Sequence, residues 1–272
     1  MLELMQYFES MPTFHKLGWI LVCLVVSWVL EGAIPLVFTD YNKRAHVTKN
    51  LFFLVTSLLV NLVFGLLTLG IILWSADHQL GLLNMIDVPL WIKLIVGVMM
   101  LDFLAQWVAH YMLHRVKWMW KLHLVHHSDT MVDATTGTRH HPGDYLVREV
   151  FSLVTVLIFG IPLGVFVLYR ILTIFFTYIT HANIKIHQDL DKAMSYVFIS
   201  PAMHKFHHHF ERPWTDTNFG NIFSFWDRIF GTFVYEDTSK IRYGVDVLPD
   251  DKANDIAYQL KVPFNKEVKT DY

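Results

Sequence analysis

Long apolar stretches alternate with shorter polar segments along the chain. The cleanest of them is Leu51–Trp74, which has 24 residues and no charged side chain. As a helix it would be about 36 Å long. This length exceeds the roughly 30 Å hydrocarbon thickness of a bilayer, so we expect a tilted span. The pattern therefore predicts a helical membrane protein.

Two further stretches, Leu17–Phe38 and Leu90–Ala109, are also long enough to cross a bilayer. The second contains Asp102 a short distance before the first of many histidines. Because a carboxylate inside a span is costly, Asp102 is a candidate member of a polar site. Together with Leu51–Trp74, these stretches give three predicted spans.

A fourth stretch, Val150–Thr180, is interrupted by the sequence Gly160-Ile161-Pro162-Leu163-Gly164. Proline and two glycines in its middle would bend or end a helix. The stretch is therefore either one kinked span or a helical hairpin that enters the membrane and returns. Histidines lie on both flanks, at His141 and His181. A single histidine site needs both flanks on one face of the membrane, so we favour the hairpin.

The basic residues of the loops predict the orientation of the chain. The loop Asp40–Asn50 carries Lys43, Arg44 and Lys49, whereas Ser75–Pro89 has neither lysine nor arginine. The positive-inside rule then places the first loop in the cytoplasm. We predict an all-α integral membrane protein with about four membrane helices, namely three spans and the broken hairpin. A cytoplasmic, histidine-lined helical cap would cover one end.

The chain divides into three predicted regions: membrane spans in 1–100, a histidine-bearing region in 101–235 with the hairpin at 146–180, and a polar cytoplasmic tail in 236–272. The composition agrees, because 54% of residues are hydrophobic and only 17% are charged, against about 25% charged in soluble domains. The net charge of −2 offers no basic field for nucleic acid. The single cysteine, Cys23, excludes a disulfide framework and a thiolate-cluster metal site.

Histidine is the residue type that points to chemistry. Sixteen are present, and thirteen fall between His110 and His209. An isolated histidine on a helix is ordinarily a hydrogen-bonded or solvent-facing residue. Eight of them, however, form three arrays with i, i+3 and i+4 spacing, which puts each array on one helix face. The arrays are His110 and His114; His123, His126 and His127; and His204, His207 and His208.

These arrays predict a dedicated metal site, since neutral imidazole is the commonest metal ligand. A single zinc ion takes four ligands, so eight or more imidazoles are too many for one ion. Two ions with four or five nitrogens each would use them. Imidazole suits iron, copper, zinc and nickel, and the ligand type alone leaves the metal open.

The three arrays resemble those of the fatty acid hydroxylase/sterol desaturase superfamily of integral-membrane di-iron enzymes. The resemblance covers roughly Leu101–Tyr235, and several segments between and after the arrays share it. These segments are Thr135–Pro142, His181–Asn183, Ser200–His208, Thr215–Asn221 and Phe225–Thr232.

The resemblance implies nine metal ligands: His110, His114, His123, His126, His127, His181, His204, His207 and His208. Some members of the superfamily carry a further histidine four residues after the one that corresponds to His181, but here that residue is Lys185. His187 follows two residues later and either substitutes for it or faces solvent. We expect His140, His141 and His209 to orient ligands or to line a substrate channel.

Carboxylates near the arrays are candidate partners for the ligand imidazoles. The candidates are Asp102, Asp129, Asp144, Asp216 and Asp227. For Asp129 and Asp144 we favour a solvated or helix-capping role. Asp227 lies in an apolar stretch beside Arg228, and we expect an ion pair with Arg228 or another arginine.

The resemblance also implies a reaction. It predicts an O2-dependent oxidoreductase with two iron ions that attacks a C–H bond of a lipid substrate, a fatty acyl chain, a sterol or a related lipid. Hydroxylation, desaturation and ether cleavage all occur in the superfamily, and we favour hydroxylation. Purified material could carry zinc instead of iron, because Zn²⁺ outcompetes Fe²⁺ at nitrogen sites. The expected location is a bacterial inner membrane or the endoplasmic reticulum.

The electrons for such a reaction must come from elsewhere. The chain has no GxGxxG dinucleotide fingerprint, and fewer than forty residues follow Phe233. We therefore expect a separate cytochrome b5-like or ferredoxin-type donor with its reductase. Five basic residues near the arrays either receive an acidic partner or are ordinary positive-inside residues. They are Lys117, Lys121, Arg139, Lys205 and Arg212.

Two other classes of function compete with an enzyme. A non-catalytic membrane metal carrier would place ligands along the spans, yet the clean spans show no such series. A bis-histidine haem carrier would need about four ligands in or across spans and no HxxHH arrays. Counting the metal ions per chain and looking for a haem absorbance band would separate these classes.

Overall fold

The computed structural model describes residues 1–38, 41–238 and 241–270. Within these ranges the chain forms helices and isolated β-bridges but no strand, so the all-α prediction is confirmed. The α-helices are α1 (Leu2–Glu9), α2 (Thr13–Ala33), α3 (Lys43–Asp77), α4 (Leu82–Met85), α5 (Leu90–Met100), α6 (Ala109–Arg115), α7 (Lys117–His127), α8 (Pro142–Phe159), α9 (Leu163–His181), α10 (Gln188–Met194), α11 (Pro201–His207), α12 (Phe225–Ile229) and α13 (Ile256–Lys261).

In the part of the chain that the structure describes, four helical segments are long and apolar enough to cross a membrane: Thr13–Ala33, Lys43–Met85, Leu90–Arg115 and Leu163–His181. In α2 and α3, large apolar side chains face outward along the whole helix; Val29, Leu62 and Leu66 are each more than 60% exposed. Contiguous apolar surface of this extent marks an interaction surface rather than a water-facing one. These faces are therefore the ones that meet lipid.

Helix α3 is longer than the apolar pattern predicts. It has 35 residues, about 52 Å of helix, and it begins where the Asn42 side chain accepts a hydrogen bond from the Ala45 amide. The predicted loop at Asp40–Asn50 is therefore wrong from Lys43 onward; Asp40 itself lies outside the described residues. Because the helix exceeds the hydrocarbon thickness, its polar first turns extend into the cap.

The third span is one continuous helical segment with an irregularity in its middle. Helices α5 and α6 are joined by a π-helix at Leu101–Val108. A π-helix changes the direction in which successive side chains point, and such stretches are frequent at functional sites. Here both Asp102 and Trp107 are buried against the cap.

Helices α8 and α9 form the predicted hairpin, although α8 begins at Pro142 rather than near 146. The turn needs a left-handed residue, and Gly160 supplies it with φ of 63°. A Cβ there would lie 2.7 Å from the Leu80 carbonyl oxygen, so only glycine fits. Glu149 of α8 pairs with Arg170 of α9 at 2.7 Å. The two helices therefore run antiparallel, and both outer ends reach the cap.

The cap packs against the ends of these helices. The predicted polar tail is part of this packing where the structure describes it, because four of its apolar side chains join those of α7 in one buried cluster. The four are Val245, Leu248, Val262 and Val268. Residues 239–240 and 271–272 of that tail lie outside the described residues.

Candidate metal centre

The nine histidines that the resemblance singles out converge in the cap, and all of them are buried. They form two sets, and within each set one ring nitrogen of every residue lies within 4.8 Å of those of the others. The first set is His110, His114, His123, His127 and His207, and the second set is His126, His181, His204 and His208.

Four helices supply these side chains, and the helical period explains how two of them serve both sets. On α7, His123 and His127 are four residues apart and join the first set, while His126 joins the second. At α11 the i, i+4 pair His204 and His208 joins the second set, while His207 joins the first. Each HxxHH array is thus divided between the sets, which adjacent positions on a helix allow.

The two sets are immediate neighbours. The rings of His127 and His208, one from each set, are stacked with centroids 4.6 Å apart. The rings of His123 and His126 are likewise stacked at 5.1 Å. The arrangement is therefore one centre with two adjoining halves.

Backbone carbonyls orient three of the imidazoles. The Nδ1 atoms of His110, His181 and His207 lie 2.6–2.8 Å from the carbonyl oxygens of Phe219, Thr177 and Thr217 respectively. A carbonyl oxygen only accepts, so each Nδ1 carries the proton. Each Nε2 then presents a lone pair to the interior of its set.

Two carboxylates orient two more imidazoles. His123 Nδ1 lies 2.6 Å from an Asp144 oxygen, and His114 Nδ1 lies 3.2 Å from Asp216. The expectation that Asp144 is solvated or only caps a helix is wrong, because Asp144 is 0% exposed. Burial by itself would raise the pKa of Asp144, but Arg148 together with His123 holds it well below its ordinary value.

Among the residues that the structure describes, several buried ring nitrogens have no hydrogen-bond partner. In the first set these are Nε2 of His114 and His207 and both nitrogens of His127. In the second set, Nε2 of His126, His204 and His208 lie 2.9–3.2 Å from Nε2 of His181. Buried polar atoms without partners are costly. Converging imidazole nitrogens are the donor set that a transition-metal ion binds, so the residues fit such an ion in each half.

The imidazoles are held in the neutral form that a metal ion requires. Burial lowers the pKa of His123 to about 4. For the five other ligand candidates on α7 and α11, burial and the neighbouring imidazoles lower the pKa well below the ordinary value. These are His126, His127, His204, His207 and His208.

Asp102 and Asp227 do not contact an imidazole, contrary to expectation. Asp102 accepts hydrogen bonds from the Ile222 and Phe223 amides and from Trp226 Nε1.

Asp227 accepts from the Phe219 and Gly220 amides and from Trp107 Nε1. Among the described residues it forms no ion pair with an arginine, so that expectation is wrong. Arg228 lies over the Phe233 ring instead, 3.6 Å from its centroid. Both carboxylates therefore hold the loop that begins at Phe219.

Asp227 is a positioning residue, because it holds the loop whose Phe219 carbonyl accepts a hydrogen bond from His110 Nδ1. We expect Asp227→Asn to weaken iron binding by about 10-fold, in the range for outer partners of metal ligands. The amide keeps the size of the side chain but replaces one acceptor with a donor that faces the backbone amides. Iron titration followed by absorbance measures the effect. Exposed Asp189→Asn is the control, and equal affinities for the two variants would contradict this role.

Three further candidates lie away from the sets. His141 accepts from the Gly143 amide and caps α8, and His209 accepts from the Glu211 amide. His187 is exposed, with 78% of its side chain accessible. His140 does adjoin the centre, because its ring stacks on that of His126 at 4.4 Å.

One histidine that the sequence placed outside the cluster belongs to a buried network beside it. His46 Nε2 lies 2.8 Å from Asp129, and His46 Nδ1 lies 3.3 Å from Asp133. The expectation of a solvated or capping Asp129 is therefore wrong, since it is 1% exposed. The signal that could have found this network is the polar beginning of α3, whose Asn50 also donates to Asp129.

The basic residues near the arrays do not form one docking surface. Arg139 is buried and donates to the carbonyl oxygens of Val125 and Ala253. Lys205 is also buried, and desolvation lowers its pKa to about 8. Lys121 donates to the Asn265 carbonyl. Three of the five residues are thus part of the packing of the cap.

The fold and the site define a helical membrane protein whose cap holds a multi-histidine candidate metal centre. The family model for fatty acid hydroxylase matches residues 94–232, about half of the chain, and the chain belongs to this family. The boundaries of the match enclose the hairpin and all nine histidines.

The names of two relatives describe lipid hydroxylase and monooxygenase activities. Ornithine lipid hydroxylase OlsE of Rhizobium tropici is 26% identical over 145 residues, 53% of this chain and 43% of the relative. Alkylglycerol monooxygenase of Homo sapiens is 28% identical over 251 residues, 88% of this chain and 52% of the relative. This chain therefore spans about half the length of these relatives. No solved structure matches it.

Proposed function

We propose that this chain is an O2-dependent lipid hydroxylase with two iron ions bound by the nine histidines. The observation that carries the proposal is the pair of adjoining sets, five and four buried imidazoles whose free nitrogens converge. Two irons held there would supply the redox chemistry that activates O2 towards an unactivated C–H bond. The family and the names of its relatives support hydroxylation over desaturation.

The protein's own residues have separate tasks in this proposal. Five imidazoles donate their Nδ1 protons to fixed acceptors, so that each Nε2 lone pair points to the interior of its set. The acceptors are the carbonyls of Phe219, Thr217 and Thr177 and the carboxylates of Asp144 and Asp216. The buried cap keeps water away. The exposed apolar faces of α2 and α3 lie in the bilayer from which a lipid substrate would come.

The surroundings of the centre complete the proposal. The predicted orientation puts the cap in the cytoplasm of a bacterium, or on the cytoplasmic side of the endoplasmic reticulum. A separate cytochrome b5-like or ferredoxin-type donor would deliver electrons there. Arg139 and Lys205 are buried, so they are poor candidates for the surface to which the electron donor docks. Lys117 is exposed and is the better candidate.

Lipid mass spectrometry tests the reaction. Cells that express the chain under ¹⁸O2 should contain a lipid heavier by one ¹⁸O atom, which is absent from cells that express His127→Ala. A lipid that has instead lost two hydrogens would contradict hydroxylation and make the chain a desaturase. A membrane metal carrier would change no lipid.

Metal analysis tests the centre independently of the substrate. The purified protein, stripped and reloaded with Fe²⁺ without oxygen, should hold about two ions per chain and show no haem absorbance band. Reloading matters because Zn²⁺ displaces Fe²⁺ at nitrogen sites during purification. One ion per chain, or a haem spectrum, would contradict the di-iron centre.

A further inference from the structure

A cavity of about 930 Å³ lies beside α11, and its lining includes none of the nine candidate ligands. Lys205 and Ala202 line it. Ala202 lies more than about 90° around α11 from all three histidines, His204, His207 and His208, whereas Lys205 lies about 100° from His204 but only about 60° from His208. The cavity is in the size range of small-molecule sites. It is a partly open pocket in the cap, and its lining differs from that of the metal centre.

Lys205 is the unusual group in this cavity. It is 1% exposed, and its Nζ has no hydrogen-bond partner among the residues that the structure describes. A buried ammonium without a partner is costly, and proteins keep such charges only where something pairs with them.

The nearby carboxylates are already occupied. Asp191 also lines the cavity, but it accepts hydrogen bonds from the Ser200 hydroxyl, the Ala202 amide and the Tyr235 hydroxyl. Neither Asp191 nor any other described carboxylate lies within ion-pair distance of Lys205 Nζ. Asp191 and Glu31 act on the Lys205 charge only from beyond ion-pair distance, so its ammonium group has no direct partner among the described residues.

We infer that this cavity binds the phosphate or carboxylate group of a small amphiphile, with Lys205 as the partner of the anion. The remaining lining supports the amphiphile, since Leu36, Ile184 and Ile186 give one wall an apolar surface. Leu36 follows the first span, so this wall adjoins the membrane end of the cap. The exposed carboxylates Glu236 and Asp237 also line the cavity, so we expect the anionic group beside Lys205 and away from these two.

Binding of hexyl phosphate to the detergent-solubilised full chain tests the inference by titration calorimetry. We expect Lys205→Met to weaken binding at least 10-fold, because the methionine keeps the volume and removes the charge. The control Lys192→Met, an exposed lysine on α10, should bind within twofold of the unsubstituted protein. Equal affinities for Lys205→Met and Lys192→Met would overturn the inference.

Two more probes distinguish the source of the anion. Inorganic phosphate that binds as tightly as hexyl phosphate, in a Lys205-dependent way, identifies a free anion as the ligand. Binding of hexyl phosphate alone identifies a lipid-like head group. Hexanol that binds as tightly as hexyl phosphate would overturn the inference. These measurements use no turnover, so they stand or fall separately from the hydroxylase proposal.

Thermal unfolding separates a ligand-binding lysine from a structural one. Without ligand, Lys205→Met should unfold at a temperature equal to or higher than that of the unsubstituted protein, since an unpaired buried charge has been removed. Hexyl phosphate should raise the unfolding temperature of the unsubstituted protein and of Lys205→Arg, but not of Lys205→Met. A lowered unfolding temperature for ligand-free Lys205→Met would contradict the inference.

Discussion

Alanine in place of His126 or His207 is expected to abolish lipid hydroxylation while the protein still inserts into the membrane. Each residue belongs to a different set, and neither lies in a candidate span. Loss of even an outer partner of a metal ligand costs 10- to 100-fold. Loss of a ligand itself should therefore lower product formation by more than about 100-fold, measured as ¹⁸O-labelled lipid per mole of membrane protein.

The two variants should also differ in which half of the centre they damage. Each should retain iron in the other set, so that metal content falls from about two ions towards one. The matched control is His187→Ala, because His187 is an exposed histidine outside both sets. Full activity in His126→Ala or His207→Ala would remove that residue from the proposed ligands.

Replacing Asp144 should have the second-largest effect, because this buried carboxylate serves three cationic or imidazole partners. Its oxygens lie 2.6 Å from His123 Nδ1, 3.2 Å from His140 Nδ1 and 2.9 Å from Arg148 Nε. Removing one partner of a buried pair leaves an uncompensated charge, which costs about 3–5 kcal/mol of unfolding free energy. Asp144→Ala should therefore fold poorly.

Asp144→Asn separates stability from function at this position. The amide keeps the shape and one acceptor oxygen but no longer neutralises Arg148 or reliably fixes the His123 proton on Nδ1. We expect iron affinity and product formation to fall about 10- to 100-fold, with a smaller loss of stability than in Asp144→Ala. Iron titration and thermal unfolding measure the two effects. If Asp144→Asn matched exposed Asp189→Asn in both, the orienting role of Asp144 would be rejected.

Much of this molecule was predictable because the responsible signals are local. An uncharged apolar run such as Leu51–Trp74 is favourable as a membrane-spanning helix. An interruption such as Gly160-Ile161-Pro162 either bends the helix or ends it. Eight of the nine candidate ligands were found in the same way, since i, i+3 and i+4 spacing places neighbouring histidines on one face of their own helix. His181 needed the resemblance, because a single histidine has no spacing.

Asp144 and Asp216 were among the candidate carboxylates, but which carboxylate contacts which imidazole could not be predicted, since the partners are distant in sequence. His114 and Asp216 are 102 residues apart, and His46 and Asp129 are 83 apart. Composition near the arrays favoured Asp102 and Asp227, but these two bind backbone amides of the Phe219 loop. Which aspartate contacts which imidazole depends on how the Phe219 loop packs against α6.

The sequence by itself determined the helical membrane class, the hairpin and eight of the nine histidines, because these follow from local patterns within single helices and their interruptions. The tertiary structure alone decided how each HxxHH array divides between two sets, which carboxylates orient the rings, and that Lys205 and Arg139 are buried rather than exposed. The physical reason is that periodicity constrains which residues share a face of one helix. The packing of helices and loops against one another decides what that face meets.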